Sequence, residues 1–89
     1  MLSQEVEIVN RLGLHARAAA KFVTCSGRFA SDIVVERNGR RVNGKSIMGI
    51  MTLAAARGTT ITMHISGEDE ADAMDALVAL VAERFGEAE

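Results

Sequence analysis

Gly13-Leu14-His15-Ala16-Arg17-Ala18-Ala19-Ala20 decides how the rest of the chain reads. Upstream, Ser-Gln-Glu-Val-Glu-Ile-Val over residues 3–9 alternates as a strand does, with Val6 and Ile8 on one face. Downstream, Ala-Ala-Ala-Lys-Phe-Val is a strong helix former. His15 therefore falls at the mouth of a helix, at or beside its N-cap. The first N–H groups of a helix lack internal acceptors, and the helix dipole adds partial positive charge there. Such a place holds anions, phosphate above all. Arg17 adds a fixed cation with several donors, and Gly13 lets the chain turn with either sign of φ. This arrangement points to a histidine nucleophile built into a phosphate-binding site. A histidine at a helix start also serves as a plain cap or packs, so the remaining sequence has to decide.

The chain has 89 residues, of which 48% are hydrophobic, enough for one domain (residues 1–89) with one modest core. It has no apolar run long enough to span a bilayer and no secretory leader, so a cytoplasmic protein without membrane contact is expected. Cys25 stands alone, which excludes an internal disulfide and a cysteine metal cage. No His, Lys or Arg flanks it, so it reads as an inert, surface or half-buried thiol. His15 and His64 have no carboxylate spacing to match them, so neither a metal nor another cofactor is expected.

The net charge of −2 hides a split. Through residue 65 there are nine Lys/Arg against four Asp/Glu; after it, one against eight. The basic part includes the His15 helix and would draw an acidic partner or a dianionic group. Nucleic acid is the rival explanation of a basic surface, but three Phe with no Tyr or Trp leave little to stack on bases.

Residues 16–27 read as a helix with Ala19, Phe22, Val23 and Ser26 on one face and Gly27 at its end. Residues 32–37 read as a strand with Ile33 and Val35 inward. Asn38-Gly39 is a type I′ hairpin signal, and residues 40–43 form the returning strand. Ser46 is a good N-cap for a short helix at 47–54, with Ile47, Ile50, Leu53 and Ala54 able to face a core. Met48 and Met51 fall on another side, so this helix is apolar nearly all round. Residues 60–66 form a fourth strand, with Ile61, Met63 and Ile65 inward and His64 outward, explained by exposure alone. A last helix spans about 70–85, striped by Met74, Leu77, Val78, Val81 and Phe85, with Asp69 as its N-cap. The order β-α-β-β-α-β-α predicts a two-layer α+β domain with helices on one face of the sheet and water on the other.

Two motifs carry a resemblance: Gly13-Leu14-His15-Ala16-Arg17 followed by Ala-Ala-Lys-Phe-Val, and Lys45-Ser46-Ile47-Met48-Gly49-Ile50-Met51. With their spacing, the length and the element order, the chain resembles the HPr family of histidine-containing phosphocarriers of the bacterial phosphoenolpyruvate-dependent phosphotransferase system. The resemblance implies an open-faced β-sandwich, a four-stranded antiparallel sheet under three helices. It implies that His15 takes a phosphoryl group on Nδ1 from enzyme I and passes it to a histidine of an enzyme IIA, with Arg17 as charge partner. Ser46 matches the site that a dedicated kinase/phosphatase modifies in many members. One departure stands out. The family pattern places proline after the arginine, and this chain has Ala18. Proline in the first helical turn pre-sets φ and loses only an orphan N–H. Ala18 keeps that N–H, so Ala16, Arg17 and Ala18 all offer backbone donors to a phosphate. The alanine is similar to the nitrogen-related (NPr) branch, whereas the second motif reads like ordinary HPr; sugar transport and nitrogen regulation both stay open.

The positive surroundings of His15 disfavour an imidazolium, so a neutral, nucleophilic ring at pH 7 is expected. A carrier needs no base or metal of its own, since its partners supply most of the transfer site; it is a phosphoryl carrier and not an enzyme. Docking is then the task of the surface. Ile47, Met48 and Met51 of the second helix, with Ala16, Arg17 and Ala20, form an adaptable apolar patch for several partners, and the chain is expected to act as a monomer. The competing reading is a ferredoxin-like ligand-binding regulatory domain, which shares the order β-α-β-β-α-β but in its metal-carrying forms wants paired cysteines.

Overall fold

A computed structural model describes residues 1–89. Its elements are β1 (Leu2–Glu7), α1 (Ala16–Ser26), β2 (Asp32–Arg37), β3 (Arg40–Asn43), α2 (Ile47–Thr52), β4 (Thr60–Ser66) and α3 (Glu70–Ala82), closed by a 3-10 turn at Arg84–Gly86. The most regular alternation in the sequence, Thr-Ile-Thr-Met-His-Ile-Ser, is an inner strand of the sheet. β4 pairs antiparallel with β1 on one side and β2 on the other, in the order β1-β4-β2-β3. Its Ile61, Met63 and Ile65 are fully buried, as is Val35 of β2, and Ile33 of β2 is buried beside them. They meet Phe22 of α1, Ile50 of α2 and Leu77 of α3 in one core, with all three helices on that face. The result is the expected open-faced α+β sandwich, four antiparallel strands under three helices.

Asn38 and Gly39 both have positive φ (51° and 80°), so the hairpin between β2 and β3 turns as the Asn-Gly pair demands. Ser46 caps α2 by accepting the Gly49 N–H at 3.0 Å. Arg37 donates to the carbonyl of Leu53 at the other end of α2, an orphan acceptor that a cation suits.

Several expectations need correction. β1 stops at Glu7 rather than residue 9. Ile8 leaves the ladder to exchange hydrogen bonds with the Gly58-Thr59 turn, and its side chain stays in the core. The buried face of α1 is Ala18, Ala19, Phe22, Cys25 and Ser26; Val23 is only half-buried, and α1 packs against α2 and α3. Gly27 ends α1 with φ −66°, so no left-handed cap is used. Cys25 is buried and has a cation beside it after all, since Arg28 lies one helical turn on, its Nη2 3.4 Å from Sγ. In α2, Ile50 and Leu53 face the core but Ile47 and Ala54 are exposed, and the helix ends at Thr52.

Asp69 is the N-cap residue of α3, as expected, but its side chain makes no capping hydrogen bond. Its carboxylate instead accepts from Ala30 N, Ser31 N and Ser31 Oγ, clamping the α1–β2 loop. The Ser31 hydroxyl first, then the Ala30 amide, hold its pKa below the ordinary carboxylate range. Phe85 is buried but lies beyond the end of α3, in the closing turn. His64 is not simply exposed: Ser3 Oγ lies 2.8 Å from its Nδ1 and Glu36 Oε1 lies 2.9 Å from its Nε2 on the open face of the sheet.

Candidate functional site

His15 is the N-cap of α1, with extended backbone (φ −72°, ψ 177°) and a side chain that accepts the Arg17 N–H on Nδ1 at 3.3 Å. Both readings of the sequence meet in one atom, because the capping nitrogen is also the prospective nucleophile. Its side chain is 24% exposed, so it is reachable from outside. Gly13 places it there. The glycine has φ +67°, and a Cβ on it would come within 2.4 Å of the Ala55 carbonyl oxygen. Leu14 N–H donates to that same oxygen at 2.9 Å, so the loop is tied to the segment after α2 and only glycine fits.

Around His15 the helix mouth is open. Ala16 and Arg17 are exposed, and the Arg17 guanidinium makes no ion pair. No backbone acceptor takes the N–H of Ala16 or of Ala18. Ala18 itself is fully buried, however, so its amide lies beneath the surface and is not presented beside the other two. What remains at the exposed residues is an Ala16 N–H with no backbone acceptor, an Arg17 N–H held on His15 Nδ1, and the Arg17 side chain.

Two residues at this site had not been singled out in the sequence. Glu87 Oε2 lies 2.5 Å from His15 Nε2, and Glu87 Oε1 accepts from Asn10 Nδ2 at 3.0 Å. The Asn10 hydrogen bond first, then His15 and the charge of Arg17, hold the Glu87 carboxyl below its ordinary pKa against the opposing effect of burial. Asn10 is buried and also donates to Gly13 O at 2.8 Å, closing the turn before the histidine. An Asn three residues before a glycine is a turn signal that the sequence does carry. The contact with Glu87, 77 positions away, has no local signal. The surroundings of His15 are thus not purely positive, as the sequence had suggested: a carboxylate faces one ring nitrogen and an amide N–H the other.

The apolar patch on α2 is real surface. Met48 is 72% exposed, Ile47 and Met51 are exposed too, and Leu12 in the His15 loop adds a further apolar side chain at 65%. α2 packs directly on α1. No helix is long and apolar enough to cross a membrane.

A family model described as the PTS HPr component phosphorylation site matches residues 2–83. The phosphocarrier protein HPr of Cupriavidus necator is 55% identical over 89 residues, covering all of both chains. A crystal structure of HPr from Thermoanaerobacter tengcongensis superposes with a TM-score of 0.96 at 45% identity, again over all of both chains. A second structure from that organism, described as an HPr dimer, matches with a TM-score of 0.79 at 46% identity over 98% of this chain and all of the other. The open sandwich, the helix-capping histidine and these likenesses agree: the chain belongs to the HPr family of bacterial phosphotransferase-system phosphocarriers, proteins that carry a phosphoryl group and are not themselves enzymes.

Proposed function

We propose that His15 is the residue that carries the phosphoryl group, on Nδ1, with the Arg17 guanidinium and the Ala16 and Arg17 amides around the phosphate oxygens. The observation that carries this reading is the position of His15: a reachable ring at the N-terminus of an eleven-residue helix, with Nδ1 turned to the Arg17 amide of its first turn. On this reading the group comes from enzyme I, charged by phosphoenolpyruvate, and goes to a histidine of an enzyme IIA. The whole chain, residues 1–89, works as one cytoplasmic carrier domain. Ala16, Ala20, Ile47, Met48 and Met51 form the docking surface, supported by the exposure of the two methionines. A wide apolar contact with few fixed hydrogen bonds suits a protein that must meet donor and acceptor in turn.

The test is direct. Incubation with phosphoenolpyruvate and enzyme I gives one acid-labile, base-stable phosphate, and His15→Ala abolishes it. Retention of that phosphate in the variant refutes the reading. The HPr names of the relatives favour the sugar branch; Ala18 favours the nitrogen branch, and parallel charging by sugar-type and nitrogen-type enzyme I decides between them.

Ser46 carries a second, regulatory proposal. Its Oγ already caps α2, and a phosphate there would place about −1.5 to −2 charges at a helix N-terminus that tolerates them. The fold survives and an acidic docking partner is repelled. Mass spectrometry after incubation with an HPr kinase/phosphatase shows one added phosphate at Ser46 if this holds. The chain is proposed to work as a monomer. Sedimentation decides whether it instead pairs as in the Thermoanaerobacter dimer.

A further inference from the structure

Both ring nitrogens of His15 have partners, and the partners are of opposite kinds. The group facing Nδ1 is the Arg17 N–H, which only donates. The group facing Nε2 is the Glu87 carboxylate, which when ionised only accepts. One tautomer satisfies both, with the proton on Nε2 and the lone pair on Nδ1.

The carboxylate is held from several directions. Its side chain is 14% exposed, and its second oxygen is fixed by Asn10, whose same amide group closes the loop at Gly13. Arg84, Phe85 and Gly86 all have positive φ (59°, 54° and 77°), a costly reversal that turns the chain back after α3. Burial of Phe85 and a 2.6 Å hydrogen bond from Lys21 Nζ to its carbonyl fix that reversal. Beyond Glu87, Arg11 takes Glu89 twice, by its backbone N–H on the carbonyl and by its guanidinium on the carboxylate, each at 2.9 Å.

We propose that Glu87, set by Asn10, is a positioning residue for phosphoryl transfer: it accepts the Nε2–H of His15, leaves the Nδ1 lone pair for phosphorus, and keeps the proton on the ring throughout the cycle. The proposal rests on His15 being the phosphorylated residue. When the group arrives, the Nδ1 lone pair forms the N–P bond while the P–N bond to the donor phosphohistidine breaks and its electron pair stays with the donor. No proton moves on His15. The ring becomes cationic, and the Glu87 carboxylate lies against that charge. When the group leaves, the N–P bond breaks, the electron pair returns to Nδ1, and a neutral imidazole remains. With a bare Nε2 the leaving group would be an imidazolate, a far poorer one. One carboxylate thus favours both directions of transfer.

The test uses the full chain labelled with 15N, the ring shifts of His15 being read at alkaline pH. The wild-type ring carries its proton on Nε2. In Glu87→Gln, Asn10 Nδ2 holds the new amide oxygen, so the amide NH2 turns to the ring and the proton moves toward Nδ1. Glu87→Ala removes the bias without reversing it. Phosphoryl transfer from phosphorylated enzyme I slows by about 10- to 100-fold in Glu87→Gln and less in Glu87→Ala, while both melt close to the wild type. Equal slowing in the two variants with an unmoved tautomer overturns the proposal, since that is what a merely structural tail contact does. Faster transfer in either variant overturns it too, by making the carboxylate a block. If His15→Ala loses all acid-labile phosphate while Glu87→Gln behaves as wild type, only the role of Glu87 falls. If His15→Ala keeps that phosphate, both readings fall.

Discussion

Gly13→Ala should be among the most damaging single-methyl additions in this chain, and its cost divides into two parts. The first is conformational. At φ +67° an alanine sits in the left-handed region, which costs about 1–2 kcal/mol. The second is steric. The new Cβ lies 2.4 Å from the Ala55 carbonyl oxygen and 2.9 Å from the Ala56 Cα, both backbone atoms with no rotamer to change. Relief requires the two segments to separate, which strains or breaks the Leu14 N–H to Ala55 O hydrogen bond between two buried residues. A buried donor left without its acceptor costs about 1–3 kcal/mol. The sum is about 2–5 kcal/mol, or on the order of 10–30 °C in melting temperature for a domain of this size. Gly39 and Gly58 provide the controls. Their φ values are also positive (80° and 88°), but a Cβ at either meets nothing within 4 Å. Alanine there carries only the conformational part, about 1–2 kcal/mol. Calorimetric melts of the three variants check the division. Equal losses at all three positions would refute the claim that the His15 loop is locked against the segment after α2.

Met48→Asp should leave the melting temperature within a few degrees, as expected for a substitution on an exposed side chain, and slow phosphoryl transfer at least about tenfold by placing a charge in the docking patch; unchanged transfer kinetics would remove the patch from the docking surface. Ala18→Pro restores the common family residue at a position whose N–H donates to no backbone acceptor. It should stabilise by about 0.4–1 kcal/mol in thermal unfolding and leave transfer unchanged, since that amide lies below the surface. Asp69→Asn should alter the acid limb of stability. The Asp69 carboxyl is held low by Ser31 and Ala30, so its contribution is complete above the ordinary carboxylate range and is lost as pH falls through the lowered value. Melts between about pH 6 and pH 2 should therefore fall less steeply in the variant.

The sheet was legible because β2 and β4 are short, alternating and buried on one side only, so period-two patterning maps directly onto exposure. The hairpin was legible because Asn-Gly has few other uses. The helix boundaries were less so. Phe85 continued the stripe of α3 by spacing, yet the chain reverses at Arg84 and places the ring in the core from another direction. Asp69 had the right identity for a cap but found three donors in the α1–β2 loop, across 38 and 39 positions of sequence. At the site, His15 and Arg17 were visible because they share one helical turn. Glu87 was not, because its role depends on a left-handed reversal that no local rule foretells from Arg-Phe-Gly. The positive field inferred for His15 was read from its near neighbours alone, and the correcting charge came from the far end of the chain.

That correcting charge bears on how a carrier gives its cargo back. Helix-end stabilisation of an anion is worth about 0.3–1 kcal/mol when exposed and roughly 2 when partly buried. On the proposed reading, a charge-assisted bond from Arg17 would add roughly 1.5–3 kcal/mol before solvent screening. Arg17 gives up no ion pair to make it, and the 3.3 Å bond from its amide to Nδ1 is long enough to be exchanged for a phosphoryl oxygen at small cost. Attraction of this size would hold a dianion without trapping it. A purely positive pocket would deepen the hold on the phosphate and oppose the positive charge that the phosphorylated ring acquires. The carboxylate of Glu87 acts in the other sense on both counts, repelling the phosphate and favouring the charged ring. On the proposed reading an amide N–H meets the ring at Nδ1 and a carboxylate meets it at Nε2, so a phosphoryl group on Nδ1 would lie away from the anion while the anion favoured the charge forming on the ring.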